Sequence, residues 1–475
     1  MTRNVLLAAA IVAALVNRTL PAPRVTIDTG TLEGLDTAGV VVFRGIPYAA
    51  PPVEQLRWKP PQPAKNWSGV RDASKLGHNC QQKQPYADID PFAAGLSEDC
   101  LNLNVWTKSV DASAKRPVLV WIHGGGFFAG FGGEERHNGA RLAQKGAVVV
   151  TINYRLGAFG FMAHPAFAAE SPHHAAGNYG LLDQIAALQW VKRNIARFGG
   201  DPSRVTIFGE SAGGMSVGSL VASPLAKGLF HRAIMESGTG MVGVVRPDSA
   251  HSKALALADS LRVRGTDARA AARLRAFSAD SILAATQRMG PVWQPQFFPA
   301  VDGWVLPSAV DSAFVIGKPN IVPMIAGTNR DEGDAWMGAP TRAFARLAAA
   351  RGAPTYVYMF SRVGDDSLNK ARGAYHSAEI VFVFGRPRPI QPSAGTTPYD
   401  STVAEAMSDY WIAFATSGDP NGPPTAGKWP KWPKYDPATD AILEIGPEIA
   451  ARTLVKRAAY DSLDAIDRSR GGVRP

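Results

Sequence analysis

The chain has 475 residues, 46% hydrophobic and 19% charged, which is enough to bury a large core and excludes a disordered protein. Its net charge of +10 is spread over dispersed Lys and Arg, with no basic run interleaved with aromatics. That dispersal argues against a nucleic-acid partner and for a solvated basic surface.

Arg3 precedes the apolar run Val5–Val16, which ends at Asn17 and Arg18. The run is too short to span a bilayer and fits a secretory leader, so residues 1–22 are expected to be removed on export to periplasm or medium. Leu20-Pro21-Ala22 lacks a small residue at its first position, which keeps an uncleaved anchor open. The only cysteines are Cys80 and Cys100, and in an exported chain that pair suggests a disulfide. It would close a loop of about 20 residues, stabilising by roughly 3 kcal/mol.

Residues 24–50 alternate as strands, and Pro51-Pro52, Pro60-Pro61 and residues 77–97 read as loops. From Leu101 the pattern becomes α/β. Leu101–Trp106 alternates, while Val118–Ile122 and Ala147–Ile152 are continuous apolar runs suited to strands covered on both faces. In Leu181–Phe198, Ile185, Leu188, Val191 and Ile195 recur at helical steps, and Gly199-Gly200-Asp201-Pro202 stops that helix. Val205–Phe208, Ala233–Glu236 and Val322–Ala326 continue the sheet. Residues 241–295 and 333–375 break the rhythm and read as helical cap inserted around one sheet. The Arg- and Gly-rich tail, residues 466–475, reads as frayed, and residues 23–465 as one domain.

Ser211 lies in Gly209-Glu210-Ser211-Ala212-Gly213, after the run Val205–Phe208 and before a helix-compatible stretch. A serine hydroxyl is a weak nucleophile until a sharp strand-to-helix turn lifts it toward a base, and this G-x-S-x-G setting supplies that turn. His123-Gly124-Gly125-Gly126 follows Val118–Ile122. Its glycines free main-chain N–H groups to face a reacting centre, so Gly125, Gly126 and Ala212 are the expected oxyanion donors.

Chain order in such sites is Ser, acid, His, which leaves His231, His251 and His376 as bases. His231 follows Ser211 too closely for an acid-bearing strand end to intervene, and His376 follows the acidic turn after Val322–Ala326. The acid lies in Asp331-Glu332-Gly333-Asp334, where pattern alone does not choose among Asp331, Glu332 and Asp334. His173-His174 lacks the neighbouring Cys or carboxylate spacing of a metal site, and no metal or organic cofactor is expected.

Over nearly its whole mature length the chain resembles the type-B carboxylesterase/cholinesterase family. The likeness rests on Phe43-Arg44-Gly45-Ile46-Pro47-Tyr48, Ser97-Glu98-Asp99-Cys100-Leu101-Asn102, His123–Phe127, Asn178–Gln184, Gly209–Gly214, Phe298–Gly303 and Gly418-Asp419-Pro420-Asn421. The resemblance implies an α/β-hydrolase fold with a mostly parallel twisted sheet, and hydrolysis of a small-molecule carboxylic ester. It implies Glu332 as the acid, His376 as the base, the Cys80–Cys100 bond, a supporting hydroxyl at Ser237, and ion pairs Arg44–Glu98 and Arg155–Asp183.

Two departures stand out. Glu332 and His376 are separated by only 44 residues, shorter than the family usually shows, which implies a shortened cap and a more open gorge. The Cys80–Cys100 loop carries no Trp, only Tyr86 and Phe92, so recognition of choline by stacking is not expected. Phe127, Phe128 and Trp336 are candidates for an acyl pocket, and a neutral-histidine mechanism is expected to fail below about pH 6. Amide or carbamate hydrolysis on the same residues, or a non-catalytic adhesion role, are the competing readings. Oligomeric state is not legible.

Overall fold

A computed structural model describes residues 22–83, 94–291, 296–387 and 396–469. Residues 1–21, nearly all of the leader expected over residues 1–22, together with Tyr86, Phe92 and residues 470–475, lie outside the described residues.

Eleven strands form the main sheet, numbered here in chain order: β1 Leu35–Thr37, β2 Val40–Pro47, β3 Asn102–Thr107, β4 Arg116–Ile122, β5 Val148–Ile152 and β6 Gly200–Glu210. They continue with β7 Arg232–Glu236, β8 Met324–Asn329, β9 Thr355–Phe360, β10 Ile442–Ile445 and β11 Ile449–Arg452. Spatial order is β11-β10-β9-β8-β7-β6-β4-β5-β3-β2-β1. The run from β10 to β5 is parallel throughout, with antiparallel strands at both edges.

The continuous apolar runs mark strands buried on both faces. Val118, Val120 and Ile122 of β4 join one core with Leu188 and Leu220, whereas Leu119 and Trp121 join the other with Met407 and Trp411. Those partners come from helices Tyr179–Asn194 and Ala212–Ala222 on one side and Pro398–Ser417 on the other. Adjacent side chains of a strand point to opposite faces, so a run apolar at every position needs helices above and below.

The segment 241–295 carries the helices Pro247–Ser260, Ala268–Arg275 and Ala279–Arg288. The cap reading of residues 333–375 requires correction. Thr355–Phe360 is β9, buried at every position and paired with β8 and β10. Its aromatic, β-branched composition suits a doubly covered strand, but the Ala-rich helix Ala339–Ala350 before it dominates the local pattern. The tail is also more ordered than expected, because a helix runs over Arg457–Ser469. Its buried Asp464 pairs with Arg342 and its Tyr460 stacks beneath that guanidinium, which pins the helix to Ala339–Ala350.

Candidate active site

β6 runs through the middle of the sheet and ends at Glu210, and helix Ala212–Ala222 begins at the next residue but one. Ser211 occupies the turn with φ 56° and ψ −121°, a conformation that L-residues rarely adopt. The turn is possible because its neighbours are glycine. A Cβ on Gly213 would lie 2.0 Å from the carbonyl oxygen of Ile122, and one on Gly209 would lie 2.6 Å from the carbonyl carbon of Gly213. The Ser211 amide donates to the Glu236 carbonyl at 2.9 Å, tying the turn to β7.

The loops after β8 and β9 bring the partners. Nε2 of His376 lies 2.9 Å from Oγ of Ser211, and Nδ1 lies 2.7 Å from Oε2 of Glu332. The other oxygen of Glu332 accepts the Asn329 amide at 2.7 Å, which fixes the carboxylate. The three acids left open by the sequence separate here. Asp331 accepts from Arg330 and from the Ala374 amide, and Asp334 accepts from Lys456 at 2.6 Å. Of the other candidate bases, His231 accepts the Val205 amide at 3.2 Å, at the start of the run that leads to Ser211.

Gly125 and Gly126 hold φ +96° and +62°, beyond the comfortable range of other residues. The carbonyl of Gly125 accepts the amides of Phe128 and Ala129, closing a turn. Among the described residues no acceptor takes the amides of Gly125, Gly126 or Ala212. His123 stacks on Tyr154 at 4.5 Å and donates through Nδ1 to the Gly124 carbonyl. Burial depresses its pKa to about 4, so this histidine is a neutral support.

A cluster of buried carboxylates behind the histidine was not foreseen from the sequence. Oε1 of Glu210 lies 3.2 Å from His376 Nε2. Glu379, fully buried, accepts from Asn329 and from the Ser237 hydroxyl at 3.5 Å, so the Ser237 hydroxyl meets Glu379 and not Glu332 or His376. Glu236 accepts the indole N–H of Trp411 at 2.8 Å. Burial and mutual repulsion raise the pKa of both: Glu379 to about 8, with Glu210 and Glu332 contributing, and Glu236 well above the ordinary carboxylate value. For His376, burial works against the charged form, but Glu210 and Glu332 outweigh it and its pKa moves up. The signal was present in the position of Glu210, beside the serine, and of Glu379, three residues past the histidine.

The disulfide Cys80–Cys100 is formed, and Arg155 pairs with Asp183 at 2.7 Å in the interior. The implied Arg44–Glu98 pair is not. Glu98 receives both Nε (2.6 Å) and Nη2 of Arg57, whose Nη1 also donates to the carbonyls of Arg275 and Phe277. Arg57 is buried and must find partners for its whole guanidinium, which this arrangement supplies. The aromatic candidates also divide. Phe127 is fully buried against Phe161 and is core, Phe128 lines a cavity with Leu156 and Phe297, and Trp336 stands exposed against the ring of His376.

The sequence profile described as the carboxylesterase family matches residues 21–337 and 333–462. The chain belongs to that family. It is 34% identical to a fumonisin B1 esterase of Sphingopyxis macrogoltabida, over 89% of this chain and 86% of the relative. It is 34% identical to the para-nitrobenzyl esterase of Bacillus subtilis, over 90% and 95%, and 35% identical to liver carboxylesterase of Sus scrofa, over 90% and 88%. A crystal structure of a Geobacillus stearothermophilus carboxylesterase superposes with a TM-score of 0.80 at 32% identity, covering 92% of this chain and 99% of the other. The fold is that of an α/β-hydrolase, and the chain is a serine hydrolase acting on carboxylic esters.

Proposed function

We propose that this carboxylesterase works through Ser211, His376 and Glu332 by way of an acyl-enzyme. His376 Nε2 takes the proton of Ser211 Oγ as the oxygen attacks the ester carbonyl. Glu332 holds the imidazole through Nδ1 and offsets the charge it acquires. The tetrahedral oxyanion is received by the amides of Gly125, Gly126 and Ala212, each free of an acceptor among the described residues. His376 returns the proton to the leaving alcohol, and a water activated by the same nitrogen releases the acid. The observation that carries this reading is the pair of contacts at His376, 2.9 Å to Ser211 and 2.7 Å to Glu332.

The leaving alcohol must lie beside Nε2, because that nitrogen protonates it. Trp336 stacks on the His376 ring at 6.2 Å and is 57% exposed, so it belongs on the alcohol side of the ester and not in the acyl pocket. An adhesion-only role is disfavoured by the aligned Ser211, His376 and Glu332. A panel of p-nitrophenyl esters of increasing acyl length, run with wild type and Ser211→Ala, tests the assignment. Turnover is expected to fall by several orders of magnitude in the variant, and undiminished hydrolysis would remove Ser211 from the mechanism. Matched anilides in the same panel separate ester from amide preference.

A further inference from the structure

A cavity of about 370 Å³ lies between the loop before helix Tyr179–Asn194 and the turn at residues 302–305. None of its lining residues belongs to the triad or to the oxyanion loop. Its size is within the range of small-ligand sites, and its walls include the rings of Trp58, Phe167, Tyr179 and Trp304. Trp58 stacks on Phe167 at 4.8 Å and its indole N–H is held by the Ala158 carbonyl at 2.8 Å. The exposed ring of His173 lies flat on Trp304, 4.0 Å away at 12°. These contacts fix the walls before any ligand arrives.

The polar groups of the lining decide what it would bind. Glu170 is occupied by Arg275 through two bonds of 2.9 and 2.7 Å. Asp302 accepts the amides of Trp304 and Leu306, and Asn178 spends its amide on both backbone groups of Ala300. Lys59 and His173 are left. Neither side chain has an ion-pair or hydrogen-bond partner among the described residues, and both offer donors. Aromatic walls together with the uncommitted donors of Lys59 and His173 match a planar ring bearing an anionic head.

We propose that this cavity is an accessory binding site for an aromatic carboxylate, the class of acid that hydrolysis of an aryl-acyl ester releases. The site stands apart from the triad and does not depend on the proposed mechanism.

The test is calorimetric titration of 2-naphthoate into the full-length protein after diethyl p-nitrophenyl phosphate treatment, with the labelled residue checked by mass. One-to-one binding is expected to persist in the phosphorylated enzyme. Lys59→Met is expected to weaken it about tenfold, as loss of one charge-assisted contact would, while leaving the neutral analogue 2-naphthalenemethanol unaffected. Ala176→Trp, which fills the cavity, is expected to abolish binding while p-nitrophenyl acetate turnover of unblocked enzyme is retained. Absence of binding to the phosphorylated enzyme, or unchanged affinity in Ala176→Trp, overturns the site. Unchanged affinity in Lys59→Met overturns the ligand class. Failure of Ser211 to label contradicts the mechanism instead, and the two variants then decide the cavity in untreated protein.

Discussion

Oε1 of Glu210 approaches Nε2 of His376 to 3.2 Å, on the edge of the imidazole that also meets Ser211 Oγ. A second carboxylate therefore bears on the proton that the mechanism moves. It favours the imidazolium that forms as Ser211 attacks, but it also holds a resting proton on the base to higher pH.

The sign of that effect can be measured. Burial alone would lower the His376 pKa, and Glu210 with Glu332 raises it, so the acid limb of activity lies above the usual histidine value. Activity is then lost as pH falls through that raised value, at higher pH than the sequence alone implied. In Glu210→Gln the limb of kcat/KM against pH is expected to move down. A limb that stays in place would show that Glu210 does not act on His376.

Trp336 is expected to set preference for the alcohol half of the ester. Trp336→Ala should lower kcat/KM for aryl acetates relative to alkyl acetates by about threefold to tenfold, the worth of one aromatic contact. Selectivity among acyl chains on a common alcohol should stay the same. A change confined to the acyl series would place Trp336 on the other side of the carbonyl.

The loop proposed to receive the oxyanion has no room for a side chain at Gly125. A Cβ there would lie 2.2 Å from the Ala129 carbonyl oxygen, on a backbone already at φ +96°. Gly125→Ala is expected to reduce kcat by about 10²-fold with a smaller change in KM, as for loss of one oxyanion donor. Wild-type turnover in this variant would exclude the loop from the reaction.

Stability should depend on Arg57 and little on Arg44. Arg57→Met would strand the partly buried Glu98 and two backbone carbonyls, a loss of about 3 kcal/mol in urea unfolding. Arg44→Met, which leaves the Glu98 pair intact, should cost much less. Equal losses would contradict the pairing described here.

Much of this was legible because local chemistry and global position agreed. The apolar runs at Val118–Ile122 and Val205–Phe208 each demanded a doubly covered strand, and the glycines at their ends demanded the turns that carry Ser211 and the amides of Gly125 and Gly126. The acid was different. Asp331, Glu332 and Asp334 look alike on a strand end, and only three-dimensional partners separate them: Arg330 and Ala374 for the first, Lys456 for the last. The strand Thr355–Phe360 was hidden by the Ala-rich helix before it, since periodicity reads neighbours and not the sheet that recruits them. That the buried carboxylates form one cluster was not legible for a related reason. Glu236, Glu379 and Glu210 are distant along the chain, and only their shared burial makes them a cluster.

The central claim is that Ser211 is the nucleophile, poised by His376. Its most direct test is peptide mass mapping after reaction with a fluorophosphonate, in wild type and in His376→Ala. A single adduct on the peptide holding Ser211 is expected, formed far more slowly in the variant. An adduct on any other serine, or equal labelling without His376, would contradict the account.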